Sequence, residues 1–191
     1  MNGTGAPKLV VLDRDGVLNY DSDGFIKSPA EWRPIDGSLD AIALLNRHGF
    51  TVAVASNQSG LARQLFDRRA LDAIHRKMRR AVQKTGGRID RIVCCPHHPD
   101  DGCDCRKPAP GLLRRLARHY RMSLEGVPAV GDAERDLAAA AAVGARPILV
   151  LTGKGRATRD ALARRGEHVE TYADLRAAAA ALVAGRAQGR H

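Results

Sequence analysis

Four short clusters in this 191-residue chain carry side chains able to do phosphoryl or metal chemistry. The first is Asp13-Arg14-Asp15-Gly16, directly after the apolar run Lys8 to Leu12. Two carboxylates spaced two residues apart on a glycine-closed turn can converge on one hard cation such as magnesium. Taken alone, the same turn reads equally as a loop or a helix cap, because Asp and Gly are common turn residues. The second is Ser56-Asn57-Gln58-Ser59-Gly60, where a hydroxyl and free backbone N–H groups suit phosphate oxygens. The third is Arg106-Lys107-Pro108, whose lysine can balance charge on a transferring phosphoryl group. The fourth is Gly131-Asp132-Ala133-Glu134-Arg135-Asp136, which supplies a further carboxylate as metal ligand.

A fifth cluster points to a different metal. All four cysteines lie between Cys94 and Cys105, in company with His97 and His98. A disulfide framework would spread them along the chain, so the clustering favours a metal. Zinc takes four ligands in a tetrahedron. The expected set is Cys95, His97, Cys103 and Cys105, two short claws separated by five residues. Cys94 is assigned to the core and His98 to the outside. With three thiolates and an imidazole the shell is full, which makes the site structural. It would pin the adjoining Arg106-Lys107 pair in a stretch too polar to build a core of its own.

These clusters need elements that bring them together. Apolar β-branched runs at Lys8–Leu12, Phe50–Ala55, Ile89–Cys94, Val127–Val130 and Pro147–Leu151 read as five strands. Between them lie helical stretches. One is capped by Ser38 and runs to His48; another is capped by Asp67 and is apolar at Leu71, Ile74, Met78 and Val82. A third has Pro110 in its first turn and reaches Tyr120, and an alanine-rich helix stops at Gly144. Helices at 156–165 and 173–184 close the chain. The alternation predicts an α/β fold, a three-layer Rossmann-like parallel sheet with helices on both faces. Right-handed crossovers put every strand C-terminus on one edge, where such sheets bind ligands. Asp13 and Asp15, Ser56 and Asn57, and Asp132 all fall on that edge. Residues 1–191 read as one domain, with an irregular insert at 20–34, a zinc-binding loop at 95–105 and a frayed tail from Gly185 to His191.

The order Asp-x-Asp, Ser, Lys, Gly-Asp, each at a strand end, resembles the haloacid-dehalogenase-like phosphatase superfamily over roughly residues 8–152. The resemblance implies that Asp13 is the nucleophile, through an aspartyl-phosphate. It makes Asp15 the acid and then the base, and sets magnesium among the Asp13 carboxylate, the Asp15 backbone carbonyl and the Asp132 carboxylate. Ser56, Asn57 and Lys107 would hold the transferring oxygens. Asp136 is either a neighbour of the ligands or an outer ligand.

The short zinc loop narrows the resemblance to the histidinol-phosphatase-like branch. There, the segments from Asp13 to Asn19 and Asp21 to Trp32, with Ser59 and the Pro-x-Pro-Gly ending after Lys107, favour a heptose bisphosphate over histidinol phosphate as substrate. The resemblance therefore implies substrate contacts from Arg14, Asp21, Gly24, Phe25, Ser56, Asn57, Gln58, Ser59, Arg106 and Lys107. Ala133 departs from relatives that carry Lys after the metal-binding Asp. Only about 40 residues separate the first two motifs, too few for a large cap domain.

Composition sets the remaining expectations. The formal charge of +10 invites nucleic acid, but the arginines are spread over helix faces. Three Tyr, three Phe and one Trp are few platforms for stacking bases. A small anionic sugar phosphate fits the charge without a polymer. The N-terminus lacks a signal-peptide pattern and no long apolar run spans a membrane, so a cytoplasmic, monomeric enzyme is expected.

Overall fold

The computed structural model describes residues 8–185. The elements are β1 (Lys8–Leu12), α1 (Ser38–Arg47), β2 (Phe50–Asn57), α2 (Arg68–Lys84), β3 (Arg91–Cys95), α3 (Gly111–Tyr120), β4 (Pro128–Gly131), α4 (Glu134–Ala141), β5 (Arg146–Val150), α5 (Gly155–Arg164), β6 (Glu170–Tyr172) and α6 (Leu175–Ala184). The six strands form one parallel sheet in the order β3-β2-β1-β4-β5-β6. The Rossmann-like three-layer expectation holds. The chain winds outward from β1 to β3, returns to the centre at β4 and winds the other way. The switch point therefore falls between β1 and β4, where sheets of this order bind ligands.

Central strands buried on both faces explain the unbroken apolar runs. Val10 and Leu12 face one layer with Val52, Val54, Ile148 and Val150, against α1, α2 and α6. Leu9 and Val11 face the other with Ala53 and Ala55, against Leu112, Leu113 and Leu116 of α3 and Ala139 and Ala140 of α4. Leu162 of α5 packs with Leu137 and Leu149.

Several boundaries differ from expectation, each for a local reason. Gly37, at φ 78°, occupies the cap position of α1, while the Ser38 hydroxyl donates to the Leu18 carbonyl at 2.7 Å. Asp67 caps α2 as expected, accepting from the Ala70 amide. Pro110 is the cap of α3, and Gly111 its first residue. β3 begins two residues later than the apolar run suggests, and β2 runs on through Ser56 and Asn57. The sixth strand, β6, was not anticipated: it is three residues long, polar and at the sheet edge. The expected fraying beyond Gly185 lies outside the described residues.

The 20–34 insert does more than form a rim. Trp32 from it is 1% exposed and joins the cluster of Ile42, Ile74 and Met78. Its indole N–H donates to Asn19 Oδ1 at 3.0 Å, and Lys77 caps its backbone carbonyl at 2.8 Å. Trp32→Ala should therefore lower unfolding free energy by about 3–5 kcal/mol. Urea unfolding measures this, and a loss within experimental error of zero would show that the insert is not anchored to the core.

Candidate active site

The β1 turn is built around Asp132. Gly16 has φ +82° and Gly153 φ +55°, and a Cβ on either would overlap the Asp132 carboxylate. Only glycine gives both the backbone conformation and the room. Asp132 directly follows β4 and is fully buried. Its Oδ2 accepts from the Lys154 amide at 2.8 Å and its backbone carbonyl from the Thr158 hydroxyl at 2.8 Å, while Oδ1 has no hydrogen-bond partner. Thr152 donates to the Gly16 carbonyl, tying the β5 loop to the β1 turn.

Asp13, Asp132 and Asp136 bring carboxylate oxygens within 4.8 Å of one another, all buried. Three anions this close repel strongly unless cations sit among them. Lys107 supplies one: Nζ lies 2.9 Å from Asp13 Oδ1 and 2.6 Å from Asp136 Oδ1, and also donates to the Ala55 carbonyl at 2.8 Å. Asp136 uses its other oxygen to accept from the Ala133 amide at the start of α4. Asp136 thus stands in the cluster, a position that the sequence left open. Lys107 is turned inward to the carboxylates, with its ammonium already shared among three oxygens.

Lys107, with Arg135 acting on the trio as well, does not balance three buried carboxylates. Burial, with Asp136, Asp15 and Asp132 nearby, pushes Asp13 up to about 7 against the pull of Lys107. Burial likewise pushes Asp132 up to about 6. A hard oxygen site of this kind, with one orphaned carboxylate oxygen, fits a divalent cation. Without such a cation the folded protein holds these protons to higher pH than the unfolded chain does. Their stabilising contribution is full below the ordinary carboxylate range and is lost as pH rises through about 6 and 7. Magnesium added to magnesium-free protein should raise Tm little at pH 5 and progressively more towards pH 8. An increment independent of pH would contradict this electrostatic description.

Asp15 is treated differently. Arg14 holds it through two contacts of 3.0 Å each, Asn19 through one of 2.9 Å and Gln58 through one of 3.0 Å. Burial would raise its pKa, but Arg14, Asn19 and Gln58 outweigh burial and hold it below the usual range. Its carboxylate lies outside the acidic trio. Gln58 also donates to Ser56 Oγ at 2.8 Å and accepts from Arg14 at 3.1 Å. The side chains of Arg14 and Gln58, expected as substrate contacts, are thus largely occupied in setting Asp15, although Arg14 Nη1 keeps a buried N–H without a partner. Asn57 is similarly employed: its amide donates to the Lys107 carbonyl and accepts from the Lys107 amide, each at 3.0 Å.

Asp13, Arg14, Asp15 and Gln58 floor a cleft of about 240 Å³, while Lys107, expected as a substrate contact, does not line it. Asp21, Phe25, Ser56, Asn57, Ser59 and Arg106 line it as the sequence suggested. Gly24 sits in the adjoining turn, its amide bonded to Ser22 Oγ at 3.2 Å. Sequence reasoning missed Arg63, Arg135 and Lys154, which also face the cleft. Lys154 lies 3.5 Å from Asp21. Arg135 directly follows the acids of the fourth cluster, a signal that could have been read; Lys154 follows β5, where no acid drew attention.

Cys95, His97, Cys103 and Cys105 form the second possible metal group, with ligand atoms within 4.8 Å. Neighbouring separations are 3.5 Å (Cys95–His97), 3.6 Å (Cys95–Cys103), 3.2 Å (His97–Cys105) and 3.6 Å (Cys103–Cys105). Sulfurs at about 2.3 Å from a tetrahedral zinc would lie about 3.7 Å apart. The four residues fit zinc. Cys95 is the last residue of β3, so one ligand is fixed to the sheet, and Cys105 lies two residues before Lys107. Cys94 is half-buried and 4.0 Å from His75, away from this group. His98 caps a turn of 3₁₀ helix, Pro99–Asp101. Cys103→Ser should lower bound zinc and drop Tm by about 5 °C or more. Elemental analysis and calorimetry test it; unchanged Tm after loss of zinc would mean that the loop holds itself.

Comparison with known proteins gives the class first. Residues 104–178 match the model of the HAD-hydrolase-like family. More specific likenesses follow. The chain is 59% identical over 151 residues to the D-glycero-beta-D-manno-heptose-1,7-bisphosphate 7-phosphatase of Pseudomonas putida, covering 79% of this chain and 86% of that protein. It is 51% identical over 175 residues to the Pseudomonas aeruginosa protein of the same name, covering 92% and 97%. The D,D-heptose 1,7-bisphosphate phosphatase of B. bronchiseptica, crystallised with magnesium and phosphate, superimposes with a TM-score of 0.89 at 55% identity, over 93% of this chain and 99% of that one. The chain belongs to the heptose-1,7-bisphosphate 7-phosphatase family of HAD-like phosphatases.

Proposed function

We propose that the protein hydrolyses D-glycero-β-D-manno-heptose 1,7-bisphosphate to the heptose 1-phosphate, releasing the phosphate at C7. The observation that carries the reading is the pairing of the Asp13–Lys107–Asp136 arrangement with Asp15 at the sheet's switch point, in a chain whose relatives carry that name. The β anomer is the form in the relatives' names. The place of such a step is the supply of activated heptose for lipopolysaccharide core.

In this reading Asp13 attacks phosphorus. Its oxygen forms the new P–O bond while the bond to the sugar oxygen breaks, leaving an aspartyl-phosphate. Asp15 gives its proton to the departing oxygen, then takes one from the water that attacks the phosphorus of the aspartyl-phosphate, whose P–O bond to Asp13 breaks to release inorganic phosphate and restore the carboxylate. Arg14 and Gln58 keep Asp15 ionised at rest. The arriving monoester, whose second ionisation lies near about pH 6, can bring the proton. Lys107 steers Asp13 and offsets charge, Ser56 and the Asn57 backbone N–H bind the transferring oxygens, and Arg106 grips an anion with its planar fork. Ser59, Gln58, Arg14, Asp21, Gly24 and Phe25 frame the sugar. Bound by Asp13, Asp132 and the Asp15 carbonyl, magnesium supplies positive charge where an anionic nucleophile must meet an anionic ester.

Zinc in the Cys95–Cys105 loop is structural, and residues 1–191 act as one domain. The enzyme works as a cytoplasmic monomer on a small soluble substrate, needing neither nucleic acid nor membrane. Among the described residues, no helix is long and apolar enough to cross a membrane.

Asp13→Asn should cut kcat by about a thousandfold or more while the fold persists. Undiminished turnover would remove Asp13 as nucleophile. Side-by-side rates on the heptose bisphosphate and histidinol phosphate separate the two candidate substrates: faster turnover of histidinol phosphate would reverse the substrate assignment and leave the phosphatase chemistry intact.

A further inference from the structure

A second basic cavity lies away from the catalytic cleft, at the open edge of the sheet. β3 is an edge strand, with α2 on one face and α3 on the other. Between them is a groove of about 410 Å³. Four guanidinium groups face it from three elements: Arg68 and Arg79 from α2, Arg91 from β3 and Arg115 from α3. The only carboxylate lining it is Asp72, which pairs with Arg68 at 3.4 Å. Arg79 spends one N–H on the Ile89 carbonyl. Arg91 and Arg115 are exposed and have no carboxylate partner among the described residues. None of these residues belongs to the catalytic cleft.

The groove wall supplies neutral polar groups. His75 Nε2 and Cys94 Sγ meet there at 4.0 Å. Burial, then the charges of Arg14 and Arg79, push His75 down to about 4, so its ring is neutral and offers an N–H without adding charge. The two guanidinium groups without a carboxylate partner, Arg91 and Arg115, border a concave space and suit phosphate oxygens. An extended polyanion would need a basic track along the surface, whereas the arginines here surround one hollow.

We propose that the groove between α2, β3 and α3 is a second anion site, which takes a phosphorylated small molecule carrying at least two negative charges. The proposal is independent of the substrate assigned to the catalytic cleft.

The probe is inorganic pyrophosphate in buffer containing magnesium, followed by isothermal titration. Wild-type protein should bind at two sites, one of them displaced by orthophosphate in the cleft. The double variant Arg91→Glu/Arg115→Glu should lose the other, with affinity there weakened by about tenfold or more. Its phosphatase activity should be unchanged, which also reports that it folds. Arg63→Glu, on the cleft rim, should leave the groove site intact. A single wild-type site fully displaced by orthophosphate would overturn the proposal, as would pyrophosphate binding unaffected by the double substitution. The arginines would then serve only to guard an edge strand against pairing. Vesicles containing anionic phospholipid form the second arm. If they bind through Arg91 and Arg115 while pyrophosphate does not, the face recognises a surface rather than a soluble phosphate, and the proposal fails.

Discussion

Everything at the site follows from forcing three carboxylates into one buried spot. Asp13, Asp132 and Asp136 cannot all be ionised there without positive charge among them. The fold meets that demand locally. Lys107 reaches in from the loop before α3 to touch two of them, and a backbone amide at Lys154 holds the third. Two glycines, Gly16 and Gly153, stand where any side chain would collide with Asp132. What the protein's own cations leave uncompensated makes the acidic trio a possible seat for a metal ion.

Most of this arrangement was legible in the sequence because strand ends carry it. A parallel sheet buries its central strands on both faces, so β1, β2, β4 and β5 announce themselves as apolar runs, and the polar residue ending each run must lie on the ligand edge. Asp13, Ser56 and Asp132 were found that way. The cysteine spacing gave the four possible zinc ligands by the same kind of local logic. What escaped had no local signature. β6 is polar because it is a short edge strand with little to bury. Gly37 took the cap from Ser38 because the serine hydroxyl was drawn to the Leu18 carbonyl, a partner twenty positions away. Lys154 matters through its backbone amide, which no side-chain pattern can reveal.

The largest shift concerned which side chains meet substrate and which hold those that do. The resemblance made Gln58 a substrate contact. In the folded protein its amide joins Arg14, Asp15 and Ser56. Long polar side chains at a strand end can turn either way, and sequence fixes their origin but not their direction. The same holds for Asn57, whose side chain forms a reciprocal pair with the Lys107 backbone.

That reciprocal pair is half of what can hold the polar loop around Lys107. Lys107 must place its ammonium within about 3 Å of two carboxylates, in a site where a displacement of about 1 Å costs orders of magnitude in rate. Its backbone has one clamp from β2, through Asn57. The second must come from the other side, where the chain runs through Asp100, Asp101 and Asp104, residues that cannot form a core. A Cys/His tetrahedron fastened to β3 at Cys95 and ending at Cys105 provides it within two residues of Lys107. Two clamps, one of hydrogen bonds and one suited to zinc, thus bracket the cation that the acidic cluster requires.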